Sequence, residues 1–134
     1  MSTLKADTIQ NTSGGAATLT KQSAAKAWIN FNGAGTVASR DSFNISSLTD
    51  SAAGDYTISF SNSLVNTNYS FLTCSSDDAT SSGVTTGYAY GVWKVGTNAS
   101  VYSTGSMRFQ IGYSSNQTLY DQKFANANVH GDLA

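Results

Sequence analysis

The side chains able to do covalent, metal or acid–base chemistry in this chain are few. Its 134 residues hold one histidine, His130, and one cysteine, Cys74. No second histidine accompanies His130 at ligand spacing, so no metal site within one chain is expected. Three copies of His130 could meet at a three-fold axis and hold an ion, but a paired or solvated histidine is the commoner state. Asp77 and Asp78 are adjacent in a polar run. General acid–base pairs need carboxylates that converge across a cleft, whereas neighbours in a loop are solvated. No G-x-S-x-G, P-loop or G-x-G-x-x-G pattern occurs, and Gly33-Ala34-Gly35 reads as a hairpin turn. Cys74 ends the run YSFLTC and reads as a buried apolar thiol. A lone cysteine excludes an internal disulfide. Asn-x-Ser/Thr occurs at Asn11, Asn44, Asn68, Asn98 and Asn116, by chance in an Asn- and Ser-rich chain. Neither an enzyme nor a cofactor is expected.

What remains is adhesive chemistry. Two aromatic groups stand out, Tyr88/Tyr90/Trp93 and Tyr102/Tyr113/Tyr120. Tyrosine mixed with Ser, Asn and Gly makes adaptable contact surfaces, because a rigid ring with one hydroxyl supplies area at little entropic cost. Binding is carried by loops on a rigid scaffold. The expected receptor contacts are therefore Tyr88, Trp93, Asn98 and Tyr102, in or beside loops 76–86 and 96–105. The alternative is that these rings pack a core or a subunit interface.

A scaffold for such loops follows from composition. Charged residues are 11% of the chain, against about a quarter in ordinary soluble domains, and there is no Glu and no Pro. Thr, Ser, Asn and Tyr suit strands and turns; the Glu, Lys and Leu of helix surfaces are scarce. A net charge of −1, with basic residues scattered singly, argues against nucleic acid or an anionic membrane. Residues 1–10 have no apolar core of the kind a signal peptide carries. No apolar run has membrane-spanning length.

Strict alternation marks two strands: Tyr56, Ile58 and Phe60 against Asp55, Thr57 and Ser59, and Met107, Phe109, Ile111 and Tyr113 against Arg108, Gln110 and Gly112. Further strands are predicted over 27–32, 36–45, 69–75, 87–95, 117–122 and 124–131, with a short one at Val101-Tyr102. Residues 27–60 read as three antiparallel strands opening a meander or sandwich. About eight short strands with turns between them predict an all-β fold, an antiparallel β-sandwich of jelly-roll type forming a knob over 27–134. Residues 1–26 have no aromatic residue and only Leu4, Ile9 and Leu19 as large aliphatics. Such a segment cannot bury enough apolar surface to fold alone. It is expected to be an extended arm that orders against a partner through Leu4, Ile9 and Leu19; plain disorder is the alternative.

The stretch AWINFNGAGTVASRDSFNISSLTDSAAGDYTISF, residues 27–60, resembles the small β domain of bacteriophage tail-fibre and related virion proteins. The opening LKADTIQNTSG is similar to the segment that precedes that domain, and NVHGDLA to its closing strand. Between them, residues 61–125 match only in strand rhythm. The resemblance implies a virion component made in the host cytoplasm. Its arm would attach to other tail or head proteins, and its knob would recognise a host polysaccharide or outer-membrane protein. A purely structural head decoration, head fibre or tail adaptor fits the same features, as does, more distantly, a free lectin-like sandwich. Phage knobs of this kind imply a homotrimer. The strands add a physical reason: Trp28 lies opposite Ile29 and Phe31, Leu72 and Cys74 lie opposite Tyr69 and Phe71, and Trp93 lies opposite Tyr90 and Val92. One face fills the domain's own core, and the other then needs a neighbour.

Overall fold

The computed structural model describes residues 10–14, 25–76, 88–89, 102–112 and 118–132. Its elements are β1 (Ala27–Asn32), β2 (Ala38–Phe43), β3 (Ile45–Ala52), β4 (Asp55–Phe60), β5 (Ser70–Ser76), β6 (Tyr88–Ala89), β7 (Ser106–Gly112) and β8 (Phe124–His130). All pairings between them are antiparallel. One sheet has the order β2-β1-β8-β5 and the other β3-β4-β7-β6, the last strand being two residues long. The protein is an all-β sandwich. Its pairings are nested, β1 with β8 and β4 with β7 inside them.

Alternation decides which face of each strand is dry. Ile29 and Phe31 of the first sheet face Tyr56, Ile58, Met107, Phe109 and Ile111 of the second, and all seven are buried. Phe31 packs edge-on against Tyr56 (ring centroids 4.9 Å apart) and Phe109 (6.1 Å), and Phe71 lies 5.3 Å from Phe109. These contacts join the two sheets. In β8, Ala125, Ala127 and Val129 point inward and are fully buried. Small side chains leave room for the rings opposite, so this central strand has little hydrophobic signal of its own. Leu64, in the polar segment after β4, is also buried and completes one end of the core.

The sequence predicts a single strand over 36–45, and the molecule divides it. β2 ends at Phe43, Asn44 takes φ = 57°, and β3 continues in the opposite sheet. Asn is among the residues that tolerate this left-handed conformation. Its side chain is fully engaged at the corner. Nδ2 donates to the carbonyls of Lys26 (3.0 Å) and Asn62 (3.1 Å), and Oδ1 accepts from the Asn62 backbone N–H (2.7 Å). Residues 27–60 therefore form two strand pairs in different sheets, not a three-stranded meander, and β3 is an element that the polar run ISSLTDSA conceals.

β3 turns into β4 through Gly54, at φ = 64°. A Cβ there would collide with the Ile111 carbonyl and come within 2.7 Å of the Tyr120 N. Asp121 Oδ1 accepts from the Gly54 N–H (2.7 Å) and from the Tyr56 hydroxyl (2.8 Å). The predicted strand over 117–122 is, in its described part, a single bridge between Gly112 and Leu119. Cys74 is exposed, contrary to the buried thiol expected, because β5 turns Phe71 inward and sends Leu72 and Cys74 outward. Among the described residues no helix is long and apolar enough to cross a membrane.

Candidate binding surface

The outer face of the first sheet gathers apolar and amide side chains in ordered rows. Residues directly opposite one another on neighbouring strands share a face. Register places Phe43, Trp28, Asn128 and Leu72 in one row across β2, β1, β8 and β5. Asp41, Asn30, Asn126 and Cys74 form the next row. Phe43 is 51% exposed and Leu72 60%, while Trp28 and Asn128 between them are half-buried, with part of each side chain at the surface. The strands alternate because their other faces carry Ile29, Phe31, Phe71, Ala127 and Val129 into the core.

The second row is tied together. Asn30 Nδ2 donates to Asn126 Oδ1 at 2.5 Å, and Asn126 Nδ2 lies 3.6 Å from Cys74 Sγ. At the bulge in β2, Arg40 donates to the carbonyls of Phe31 and Lys123, each at 2.5 Å, and its guanidinium lies 4.6 Å from the centre of the Phe124 ring. Phe124 is 40% exposed on this same face. The face thus carries exposed rings and an aliphatic side chain, fixed carboxamides, and charges engaged by the backbone.

The other polar clusters are structural. Asp55, buried between β4 and β7, accepts from Arg108 Nε and Nη2 (2.8 Å each) and from Gln110 Nε2 (3.0 Å). Burial pushes its carboxyl upward, but the bonds from Arg108 and Gln110 and the Arg108 charge outweigh that and hold it below the usual carboxylate range. Burial pushes the Tyr56 phenol strongly upward, and its bond to Asp121 adds to this; burial raises Tyr69 to about 12. A notch of about 280 Å³ opens where β2 and β3 diverge, lined by Ile29, Val37, Ile45, Leu48 and several serines. That is slightly below the size of ordinary small-molecule sites.

The four receptor residues expected from the sequence are not brought together by the described parts of the molecule. Tyr102 is half-buried, bridged to Met107, with its ring 5.1 Å from Tyr69. Tyr88 begins β6, of which only the backbone is described, and Trp93 and Asn98 lie outside the described residues. The arm residues Leu4, Ile9 and Leu19 also lie outside them. The outer-face row was half legible: the two-faced strands at Trp28 and Leu72 signalled it, but Phe43 and the asparagines did not. No protein-family model, no curated protein and no solved structure matches the chain.

Proposed function

We propose that this chain is a non-catalytic bacteriophage virion component, a tail-fibre or spike module that attaches through residues 1–26 and contacts the host with its β-sandwich. The resemblance over residues 27–60 supports the virion setting. The observation that carries the binding role is the outer row Phe43, Trp28, Asn128 and Leu72, which leaves large apolar groups exposed on a rigid sheet. A non-catalytic role is supported by two of the described carboxylates, Asp55 and Asp121, which are engaged in bonds that hold strands and turns. Contact would be weak per copy and multiplied by copy number.

The same reading includes a homotrimer. β2 and β3 form a continuous ribbon that is the edge of both sheets. Exposed edges invite stray pairing unless something covers them, and a closed ring of copies would do so. This edge also favours a second reading, a head decoration or adaptor whose surfaces serve assembly alone. The two separate in an adsorption assay. Purified protein should bind host cells, and Phe43→Ala and Leu72→Ser should reduce that binding while the fold is retained. Unchanged adsorption by both variants would overturn the host-contact role and leave the assembly reading.

A further inference from the structure

We infer that the outer face of the first sheet is a site for a neutral oligosaccharide laid across the strands, along the row Phe43, Trp28, Asn128 and Leu72. This rests on the reading of that face as the contact surface. Three observations define the ligand.

The first is size. Four strands spaced about 4.8 Å apart, each about seven residues long, give a face of roughly 19 by 23 Å, or roughly 440 Å². A stable protein–protein interface needs about 800 Å² per partner. Side-chain relief makes the accessible area larger than this flat footprint, so the face is at the small end for a second copy, whereas a short extended ligand is covered by it.

The second is charge. The outward positions of these strands carry Asp41 and Arg40, one of each sign, with the histidine His130 at the end of β8. Arg40 is engaged by two carbonyls and the Phe124 ring, and Asp41 accepts from the Ser42 N–H at 2.8 Å. Nothing here would hold a polyanion, since such ligands require clustered cations.

The third is the chemistry of the side chains. A pyranose ring has an apolar C–H face and hydroxyls at its rim. Trp28 and Phe43 offer ring surface at low entropic cost. Asn30, Asn126 and Asn128 offer carboxamides, each with two N–H donors and two acceptor lone pairs, so they answer hydroxyls in either direction. The bond between Asn30 and Asn126 fixes both amides before any ligand arrives, which lowers the ordering cost of binding. Ring, amide and aliphatic group succeed one another across the strands, so a linear chain of sugars meets each in turn.

The test uses the full, unsubstituted chain, whose tryptophans are Trp28 and Trp93. Its fluorescence is titrated with neutral hexasaccharides (glucose-, mannose- and galactose-based) and with an acidic uronate hexasaccharide. The expected result is a saturable change with at least one neutral sugar. It should change less than two-fold between 50 mM and 500 mM salt and weaken at least ten-fold in Phe43→Ala and Asn128→Ala. Phe43 lies at the sheet edge, half in solvent, so its variant keeps the fold. Binding by the acidic sugar alone, or by none of them, overturns the inference. So does a concentration-dependent rise in mass that Phe43→Ala abolishes, which would assign the face to a second copy. Host adsorption is measured on the same variants. If adsorption falls without sugar binding, the contact surface stands and its ligand is of another class; if adsorption is unchanged as well, both readings fail.

Discussion

Trp28 and Phe43 are direct cross-strand partners on the outer face of the first sheet, at the end where β2 leaves it for the other. Behind them, Ile29 and Phe31 of the same strand are sealed in the core. The two sides of β1 therefore answer to different demands. Phe31→Ala should destabilise the fold by about 3–5 kcal/mol, as expected for a buried ring with a cavity left behind. Phe43→Ala, half in solvent, should cost less than about 1 kcal/mol. Urea unfolding of the two variants checks this; equal losses would mean that Phe43 is part of the fold's support and not available for contact.

Asn44 should be among the least replaceable polar residues. Asn44→Ala loses its bonds to Lys26 and Asn62 and places an ordinary side chain at φ = 57°. Each net hydrogen bond is worth about 1 kcal/mol, and left-handed backbone about 1–2 kcal/mol, so a loss of about 2–4 kcal/mol is expected. Asn44→Gly relieves the backbone but not the bonds and should lie between Ala and wild type. If Gly were as damaging as Ala, backbone strain would contribute nothing.

The pair of Asp55 and Arg108 sets the acid limit of stability. The folded carboxyl titrates below its unfolded value, so its contribution is present above the unfolded pKa of about 3.9 and is lost as pH falls through the folded one. Wild type should weaken below about pH 4, and Asp55→Asn should show a flatter acid slope. Arg108→Ala leaves the carboxylate buried without its cation. Because Arg108 is 32% exposed, water can partly replace it, and a cost of about 2–3 kcal/mol is expected at neutral pH. Denaturation midpoints across the acid range decide both points.

The alkaline limit has the opposite sign. Tyr56 and Tyr69 titrate above their unfolded value, so the stability they carry is complete below about pH 10 and falls as the unfolded phenols ionise above it. Tyr69 donates to the Ser103 carbonyl at 3.2 Å, and Tyr56 donates to Asp121. Tyr69→Phe should cost about 1 kcal/mol at pH 8 and reduce the decline between pH 10 and 12. An unchanged alkaline slope in Tyr69→Phe and Tyr56→Phe would assign the decline to other groups.

Deleting residues 1–24 should leave the sandwich folded, because every described strand of the two sheets begins at or after Ala27, with the Lys26 N–H donating to the Val129 carbonyl at 2.7 Å just ahead of β1. On the virion reading the shortened chain should fail to enter particles. Light scattering on the full chain should give three times the 14.0 kDa chain mass. Normal incorporation of the deletion variant would remove the attachment role, and a stable monomer at micromolar concentration would remove the trimer.

Local sequence fixed what depends on neighbours along the chain. The period-two runs at Tyr56, Ile58 and Phe60, and at Met107, Phe109 and Ile111, assign their inward faces without help, because a one-residue slip would turn every ring to water. The two-sided strands at Trp28 and Leu72 were equally plain in the sequence. Other features depended on residues far away. β8 reads weakly because Ala125 and Ala127 are small, and only the rings packed against them make small side chains the right ones. β3 is hidden because an edge strand can be almost wholly polar. The bend at Asn44 required its partners Lys26 and Asn62, which lie on either side of it in sequence. Phe43, Trp28, Asn128 and Leu72 meet in one row solely through the register of three strand pairings. Alternation tells which side of a strand each residue takes; backbone hydrogen bonds between distant segments decide which residues stand beside it.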